Sequence, residues 1–229
     1  MAATNQSGSS MDGVRRFSIG RENGSKTGKA QIMEWLQELP APQQGRRFET
    51  RTSESGKTRH YETYTAIDGV LTGLGLRSRE IMNEQRTFLI ATLDDGRDVQ
   101  EFEIGDTDGR YSMDLLKTLL NPSMDFQKTI RLAPYAYLKD DKQKMGISVY
   151  CGVDQMKWAD KDAYNIAEPD QTTHKGKVLW NFMPVFESLW MHAEQNVLPK
   201  LKKGPVVPVP EQIGEKPSAS SRFDEDLPF

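Results

Sequence analysis

The chain has 229 residues, a net charge of −3 and 36% hydrophobic residues, a composition that supports one folded domain with a single core. Its single cysteine, Cys151, excludes an internal disulfide framework and a thiolate zinc site. No apolar run reaches the roughly 20 residues of a membrane helix, and the first residues lack the basic and apolar parts of a signal peptide. We therefore expect a cytoplasmic protein without membrane contact.

Hydrophobic periodicity and turn residues predict a series of short elements. In chain order they are a flexible arm over 1–30, a helix over 31–39, strands over 46–52, 60–76, 87–93 and 99–104, a short helix capped by Ser112, strands over 128–138 and 145–153, and a helix over 178–200. From residue 60 onward the order is strand, strand, strand, helix, strand, strand.

This chain order is that of an OB-fold, whose first strand is typically long and bent because it serves both halves of the barrel. The glycines Gly69, Gly73 and Gly75 in the first predicted strand suit a sharp bend. We predict a mainly β fold over 31–203: a five-stranded OB-fold-like barrel with an interposed short helix. An extra amino-terminal strand and a carboxyl-terminal helix accompany it, and disordered tails flank it.

The strand pair over 128–153 has one basic and aromatic face. Its first strand alternates between two sets of residues: Ile130, Leu132, Ala136 and Leu138 toward the core, and Arg131, Tyr135, Tyr137 and Lys139 opposite. A turn over 140–143 would pair Lys139 with Lys144 and would direct Ile147, Val149 and Cys151 inward. It would also add Lys144 and Tyr150 to the second face.

Rings among cations suit single-stranded DNA, because bases stack on rings at about 1–3 kcal/mol each while Lys and Arg contact phosphates. Tyrosines at alternate strand positions are also favoured on any half-exposed sheet.

A second basic and aromatic patch could also bind DNA. Its alternative interpretation is a basic hairpin that discourages pairing at the edge of the sheet. Its DNA-binding candidates are Arg46, Arg47, Phe48, Arg51, Lys57, Arg59 and Tyr61. Trp158 either stacks on a base or, as we expect, is buried at the end of the barrel.

Catalytic motifs fail at required positions. Gly56-Lys57-Thr58 resembles the end of a phosphate-binding loop, but Arg51 stands where that motif needs its first glycine. Gly73-Leu74-Gly75 would need a third glycine at Ser78 to bind a dinucleotide. The three histidines are far apart in the sequence. We predict no enzymatic activity, no metal and no cofactor.

The carboxyl-terminal end differs in composition from the rest. Residues 1–203 carry 28 basic and 28 acidic side chains, whereas 204–229 carry 2 basic and 5 acidic ones. Four prolines among small and polar residues make 204–221 an extended linker. Residues 222–229, which we call the acidic tip, contain the predicted partner-binding residues Asp224, Glu225, Asp226, Leu227, Pro228 and Phe229.

The acidic tip is similar to that of bacterial single-stranded DNA-binding proteins, which end on a run of Asp, an apolar residue, Pro and Phe. Many bacteriophage single-stranded DNA-binding proteins also carry an acidic, aromatic-ended tail after an OB-fold. The motif match covers eight of 229 residues. It implies that Phe229 docks in an apolar pocket of a polymerase, helicase or nuclease, with its carboxylate on a basic side chain. It also implies that the tip competes with DNA for the protein's own groove.

These features predict a sequence-nonspecific protein that coats single-stranded DNA in phage or bacterial replication, recombination and repair. It would act in the cytoplasm, that of the host if it is phage-encoded, and a homodimer through the last helix is left open. One alternative is an adaptor that engages host replication proteins through the tip without binding DNA. Another is a recombination protein that anneals complementary strands.

Overall fold

The computed structural model describes residues 14–25, 27–53, 56–81, 83–140, 142–174 and 177–201, without the side chain of His174. The strands are β1 (Val14–Arg21), β2 (Ala30–Leu36), β3 (Arg47–Thr52), β4 (Thr58–Tyr64), β5 (Ile67–Ile81), β6 (Glu84–Asp94), β7 (Val99–Asp106), β8 (Ile130–Lys139), β9 (Lys142–Cys151), β10 (Asp154–Gln155), β11 (Asp170–His174) and β12 (Lys177–Asn181). The helices are α1 (Arg110–Leu119), α2 (Lys161–Tyr164) and α3 (Met183–Asn196), with 3-10 turns at Glu22–Gly24 and Leu198–Lys200. The linker and the acidic tip lie outside the described residues.

The protein is mainly β, as the sequence predicts. Ten strands form one mixed sheet in the order β10-β9-β8-β5-β6-β7-β1-β2-β4-β3, and β11 and β12 form a separate pair. β1 runs parallel to β7, and the other described pairs are antiparallel. The sheet curls so that β2 lies close to β8. Among the described residues, no helix has the length and apolar character to cross a membrane.

β5 joins two parts of the sheet. Its first three residues pair with β8, whereas the strand from Val70 onward pairs with β6. A register shift between Leu71 and Gly73 lets the strand bend between these partners. The predicted single strand over 60–76 is wrong, because β4 and β5 are separate strands with different neighbours in the sheet.

The amino-terminal elements also differ from the prediction. Residues 14–21, expected within a flexible arm, form β1, and the stretch predicted as a helix over 31–39 contains β2. In β2, Ile32, Glu34 and Leu36 share one face and are all buried. The carboxylate of Glu34 interrupts the apolar alternation, so the stretch resembles a helix more than a strand when hydrophobic residues alone are counted.

Helices α1 and α3 contribute buried residues to the core that they share with the sheet. α1 begins after Gly109 and not after Ser112, whose hydroxyl lies inside the helix and donates a 3.0 Å hydrogen bond to the carbonyl of Gly105. The predicted helix over 178–200 is wrong at its start, because Lys177–Asn181 pairs with β11. α3 follows with Pro184 in its first turn, the expected place for a proline in a helix.

Two buried carboxylates face each other across β2 and β4, and arginines neutralise them. Glu34 pairs with Glu62 in the register, and only about 4% of either residue is exposed. Arg15 binds the Glu34 carboxylate through Nε at 2.9 Å and Nη2 at 2.6 Å, and Tyr64 donates to it at 2.9 Å. Arg46 pairs with Glu62 in the same way. Because like charges directly opposite destabilise a sheet, these arginines hold β1, β2 and β4 together.

Replacing Arg15 with Ala should therefore lower the free energy of unfolding by about 3 kcal/mol, because Glu34 would stay buried without a counterion. Arg16→Ala is the matched control: Glu101 keeps its 2.7 Å ion pair with Arg77, and the loss should stay below about 1 kcal/mol. Urea unfolding of both variants measures the difference. Equal losses would show that the Arg15–Glu34 pair has no special role.

Candidate nucleic-acid interface

The basic aromatic face predicted on the last strand pair is present on β8 and β9, in a different register. β8 ends at Lys139 and β9 resumes at Lys142, with Asp140 in the left-handed region at a φ of +52°. The turn is thus two residues shorter than the predicted 140–143, as a tight hairpin with positive φ requires. Tyr137 pairs with Lys144, and Tyr135 pairs with Gly146 instead of Ser148.

The shift by two residues leaves the inward and outward faces unchanged, because side chains alternate with a period of two. Ile147, Val149 and Cys151 are buried as predicted, together with Ile130, Leu132 and Ala136. Leu138 is the exception: it lies on the core side of β8 but is 55% exposed. Here the hairpin extends beyond the apolar core, so both of its faces meet solvent.

Tyr135 and Tyr137 form an aromatic pair on the outer face. Their ring centroids are 6.0 Å apart with an interplanar angle of 32°, and Tyr137 is 52% exposed. Tyr135 is half-buried, because its ring lies over Gly146 and beside Asp114 of α1. Burial, together with the nearby Asp114 carboxylate, raises the pKa of Tyr135. One ring is thus held in place and the next is open to solvent.

Three lysines surround the exposed ring. Lys144 lies directly opposite Tyr137, and Lys139 lies opposite Lys142, all on the outer face of the hairpin. The three side chains are exposed, and none forms an ion pair with another described residue. Lys142 was not among the predicted site residues because the predicted turn contained it. We call Tyr135, Tyr137 and these three lysines the hairpin strip.

The other end of the predicted face is less cationic than expected. Arg131 and Tyr150 lie opposite each other, but the Arg131 guanidinium makes two hydrogen bonds to Asp68, Nε at 2.7 Å and Nη2 at 2.9 Å. This ion pair raises the pKa of Arg131 and neutralises its charge locally. Tyr150 is half-buried between Arg131 and Gln155 of β10. Arg131 and Tyr150 therefore do not extend the hairpin strip.

The second predicted patch is on β3 and β4, where several of its members have structural roles. Arg46 pairs with buried Glu62 and lies 5.4 Å from the Phe48 ring. Arg51 pairs with Glu49 and covers the buried ring of Tyr61 at 5.6 Å. Tyr61 therefore presents no open ring to a base, and these two arginines already have carboxylate partners.

The remaining members of the second patch stay near the surface. Arg47 and Lys57 are exposed, whereas Arg59 and Phe48 are partly buried. Lys57 and Arg59 have further interactions of their own. Since exposed cations and exposed rings do not coincide on this hairpin, the β8–β9 hairpin is the better candidate for binding unpaired bases.

Trp158 differs from the expectation of a buried tryptophan, because it is 47% exposed. The guanidinium of Arg110 lies 5.7 Å from its ring and the ammonium of Lys117 lies 5.0 Å from it, both from α1. Sequence reasoning overlooked these two cations, which are far from Trp158 in the chain. The apolar periodicity of α1 gave no signal for them.

Comparison with protein-family models, curated proteins and solved structures finds no match to this chain.

The fit of Tyr135 against Gly146 can be tested with an added methyl group. A Cβ at position 146 would lie 2.2 Å from Oδ2 of Asp114 and 2.5 Å from the Tyr135 hydroxyl oxygen. We expect Gly146→Ala to destabilise the protein by about 1–3 kcal/mol, as overpacking does. In Gly75→Ala the new methyl would meet no atom within 4 Å, so stability should change by less than about 1 kcal/mol. Thermal unfolding that ranks the two variants in the opposite order would contradict this packing.

Proposed function

We propose that the protein binds single-stranded DNA without sequence preference through the hairpin strip and recruits other replication or recombination proteins through its acidic tip. The observation that carries the proposal is the exposed Tyr137 ring beside the held Tyr135 ring, among three lysines that have no carboxylate partner in the part of the chain that the structure describes. Every base has a π-face, so stacking on rings tolerates any sequence. Lysine ammonium groups attract the phosphates that accompany those bases.

The topology of the sheet supports an OB-fold-like arrangement for β5 to β9 with α1. β5 pairs with both β6 and β8, as the shared first strand of an OB-fold does. β7 pairs with β1 and β9 pairs with β10, so additional strands take the edges of this five-stranded unit. In OB-folds the connection between the fourth and fifth strands is one of the loops that bind oligonucleotides. The corresponding turn here is the one that carries Lys139 and Lys142.

The acidic tip completes the proposal. Phe229 offers one aromatic anchor and a carboxylate, with three acids before Leu-Pro-Phe that suit a basic pocket on a partner. The negative charges of the tip are also complementary to the lysines of the hairpin strip. A tip that rests weakly on the strip is displaced when DNA covers it, which couples coating of the strand to recruitment.

Loss of the exposed ring should weaken DNA binding. Tyr137→Ala removes one stacking platform worth about 1–3 kcal/mol, so we expect the Kd for oligothymidine to rise roughly tenfold. Leu138→Ala is the matched control, because Leu138 is equally exposed on the opposite face of the same strand. A mobility-shift titration at two salt concentrations measures both variants. If both bind like the wild type, the hairpin strip is not the DNA site.

The whole proposal would be contradicted if neither the full-length protein nor the protein without residues 222–229 bound oligothymidine at low salt. The adaptor function would then explain the acidic tip better. An assay with complementary labelled strands separates simple coating from annealing.

Removal of residues 222–229 should tighten DNA binding and abolish partner capture. The gain in affinity should be largest at low salt, where the attraction between tip and lysines is least screened. A variant with Asp224, Glu225 and Asp226 changed to the corresponding amides is the matched control: it keeps Leu-Pro-Phe but should bind DNA as the truncated protein does. Equal Kd values for truncated and full-length protein in dilute buffer would exclude competition between tip and DNA.

A further inference from the structure

A cavity of about 280 Å³ opens between α1, the segment 156–169 and the start of α3. Its interior is mostly apolar, with Met113, Leu120, Phe182, Val185 and Leu189 among the lining side chains. Trp158, Arg110, Lys117 and Lys161 also line it. The cavity thus combines an apolar interior, an aromatic ring with nearly half of its surface exposed, and three cations.

The backbone around Trp158 is held by hydrogen bonds although it belongs to an irregular segment. The residue after it, Ala159, donates its backbone N–H to the carbonyl of Lys117 at 2.8 Å. The residue before it, Lys157, accepts a 3.0 Å hydrogen bond from the side-chain amide of Asn121 at its carbonyl. Both bonds attach the backbone on either side of Trp158 to the end of α1. A segment whose backbone is already held loses less conformational freedom when it binds a ligand.

Two side chains of α1, Arg110 and Asp114, lie between the cavity and the hairpin strip. Arg110, which lies over the Trp158 ring, approaches Asp114 with its Nε 3.2 Å from Oδ1. Asp114 in turn lies against Gly146 and Tyr135. A path of neighbouring side chains therefore leads from Tyr137 and Tyr135 through the Asp114–Arg110 ion pair to Trp158. The rings of the hairpin strip and the Trp158 ring lie at the two ends of this path.

The geometry points to a second stacking platform: Trp158 receives a base of the same single strand that covers Tyr137 and Tyr135, while Lys117, which has no ion pair with another described residue, contacts its phosphate. Arg110, paired with Asp114, stays beside the ring. This inference rests on the proposed function and extends the binding path from the hairpin to the end of α1. The base lies over the indole at the mouth of the cavity. The apolar interior excludes water beneath it.

Carboxylates at the cavity decide how a nucleotide would lie there. Asp160 and Glu168 line the cavity, and Glu168 is paired with Lys161. Because these carboxylates disfavour an anion inside the cavity, the uncharged base lies over the indole and the phosphate stays beside Lys117.

Fluorescence and binding of full-length variants test this inference with oligothymidine of 20 nucleotides. Trp158→Leu should raise the Kd roughly tenfold, the value of about one stacked base, and should remove most of the quenching of tryptophan emission by the DNA. Trp180→Leu is the matched control, because Trp180 is 54% exposed on β12 and does not line the cavity. It should change neither measurement. Trp158→Phe keeps a ring and should retain most of the affinity.

The outcomes separate this inference from the function on which it rests. If Tyr137→Ala weakens binding but Trp158→Leu behaves like Trp180→Leu, the second platform is wrong and the hairpin strip stands. If Trp158→Leu keeps its DNA affinity but no longer binds a peptide of residues 222–229, the cavity is a peptide site and the inference is overturned. If Trp158→Leu unfolds, photo-crosslinking of wild-type protein to 5-iodouracil-containing oligothymidine decides. An adduct on Trp158, beside those expected on the hairpin strip, supports the second platform, and adducts on the hairpin strip without one on Trp158 overturn it.

Discussion

The position of the β8–β9 hairpin depends on a close approach at Gly69. There β5 leaves its pairing with β6 and pairs with β8 over three residues, from Ile67 to Gly69. A Cβ at Gly69 would lie 2.9 Å from Cβ of Leu93 and 3.0 Å from the carbonyl oxygen of Asp94, so a side chain there would separate β5 from β6. In the described sheet these three residue pairs link the hairpin to the other strands. The position of these three pairs therefore determines where the rings and lysines of the hairpin strip lie.

The structure uses its two kinds of cation differently. Many arginines lie in ion pairs: Arg15 with Glu34, Arg46 with Glu62, Arg131 with Asp68 and Arg79 with Glu103. A planar guanidinium binds a carboxylate through two hydrogen bonds and tolerates partial burial, which suits it to joining strands. The lysines of the hairpin strip have no such partners among the described residues. Counting basic residues along the sequence could not separate these roles, and the second predicted patch contained mostly cations of the first kind.

The sequence predicted β3, β6, β7, β8 and β9, and the faces of β8 and β9 are correct apart from Leu138, because alternation is a local signal that survives a wrong turn. The prediction was wrong where residues distant in the sequence determine the local structure. Glu34 is buried in β2 because Arg15 and Tyr64 bind it, and nothing near Glu34 in the chain indicates this. The turn between β8 and β9 was predicted two residues too long. Asp140 adopts a positive φ, which allows the shorter turn. Trp158 was expected to be buried, since the hydrogen bonds that hold it at the surface come from α1.

The rings along the proposed path differ in how much freedom they lose on binding. Tyr135 is confined by Gly146 and Asp114, and the backbone around Trp158 is held by hydrogen bonds to residues of and after α1. Tyr137, between lysines at the end of the hairpin, is more exposed and less constrained. In the proposed complex, a base that stacks on Tyr137 would have to order that side chain, whereas Tyr135 would lose less freedom. The lysines around Tyr137 are also the most open cations of the path, so a strand would first be attracted there and then settle on the other rings.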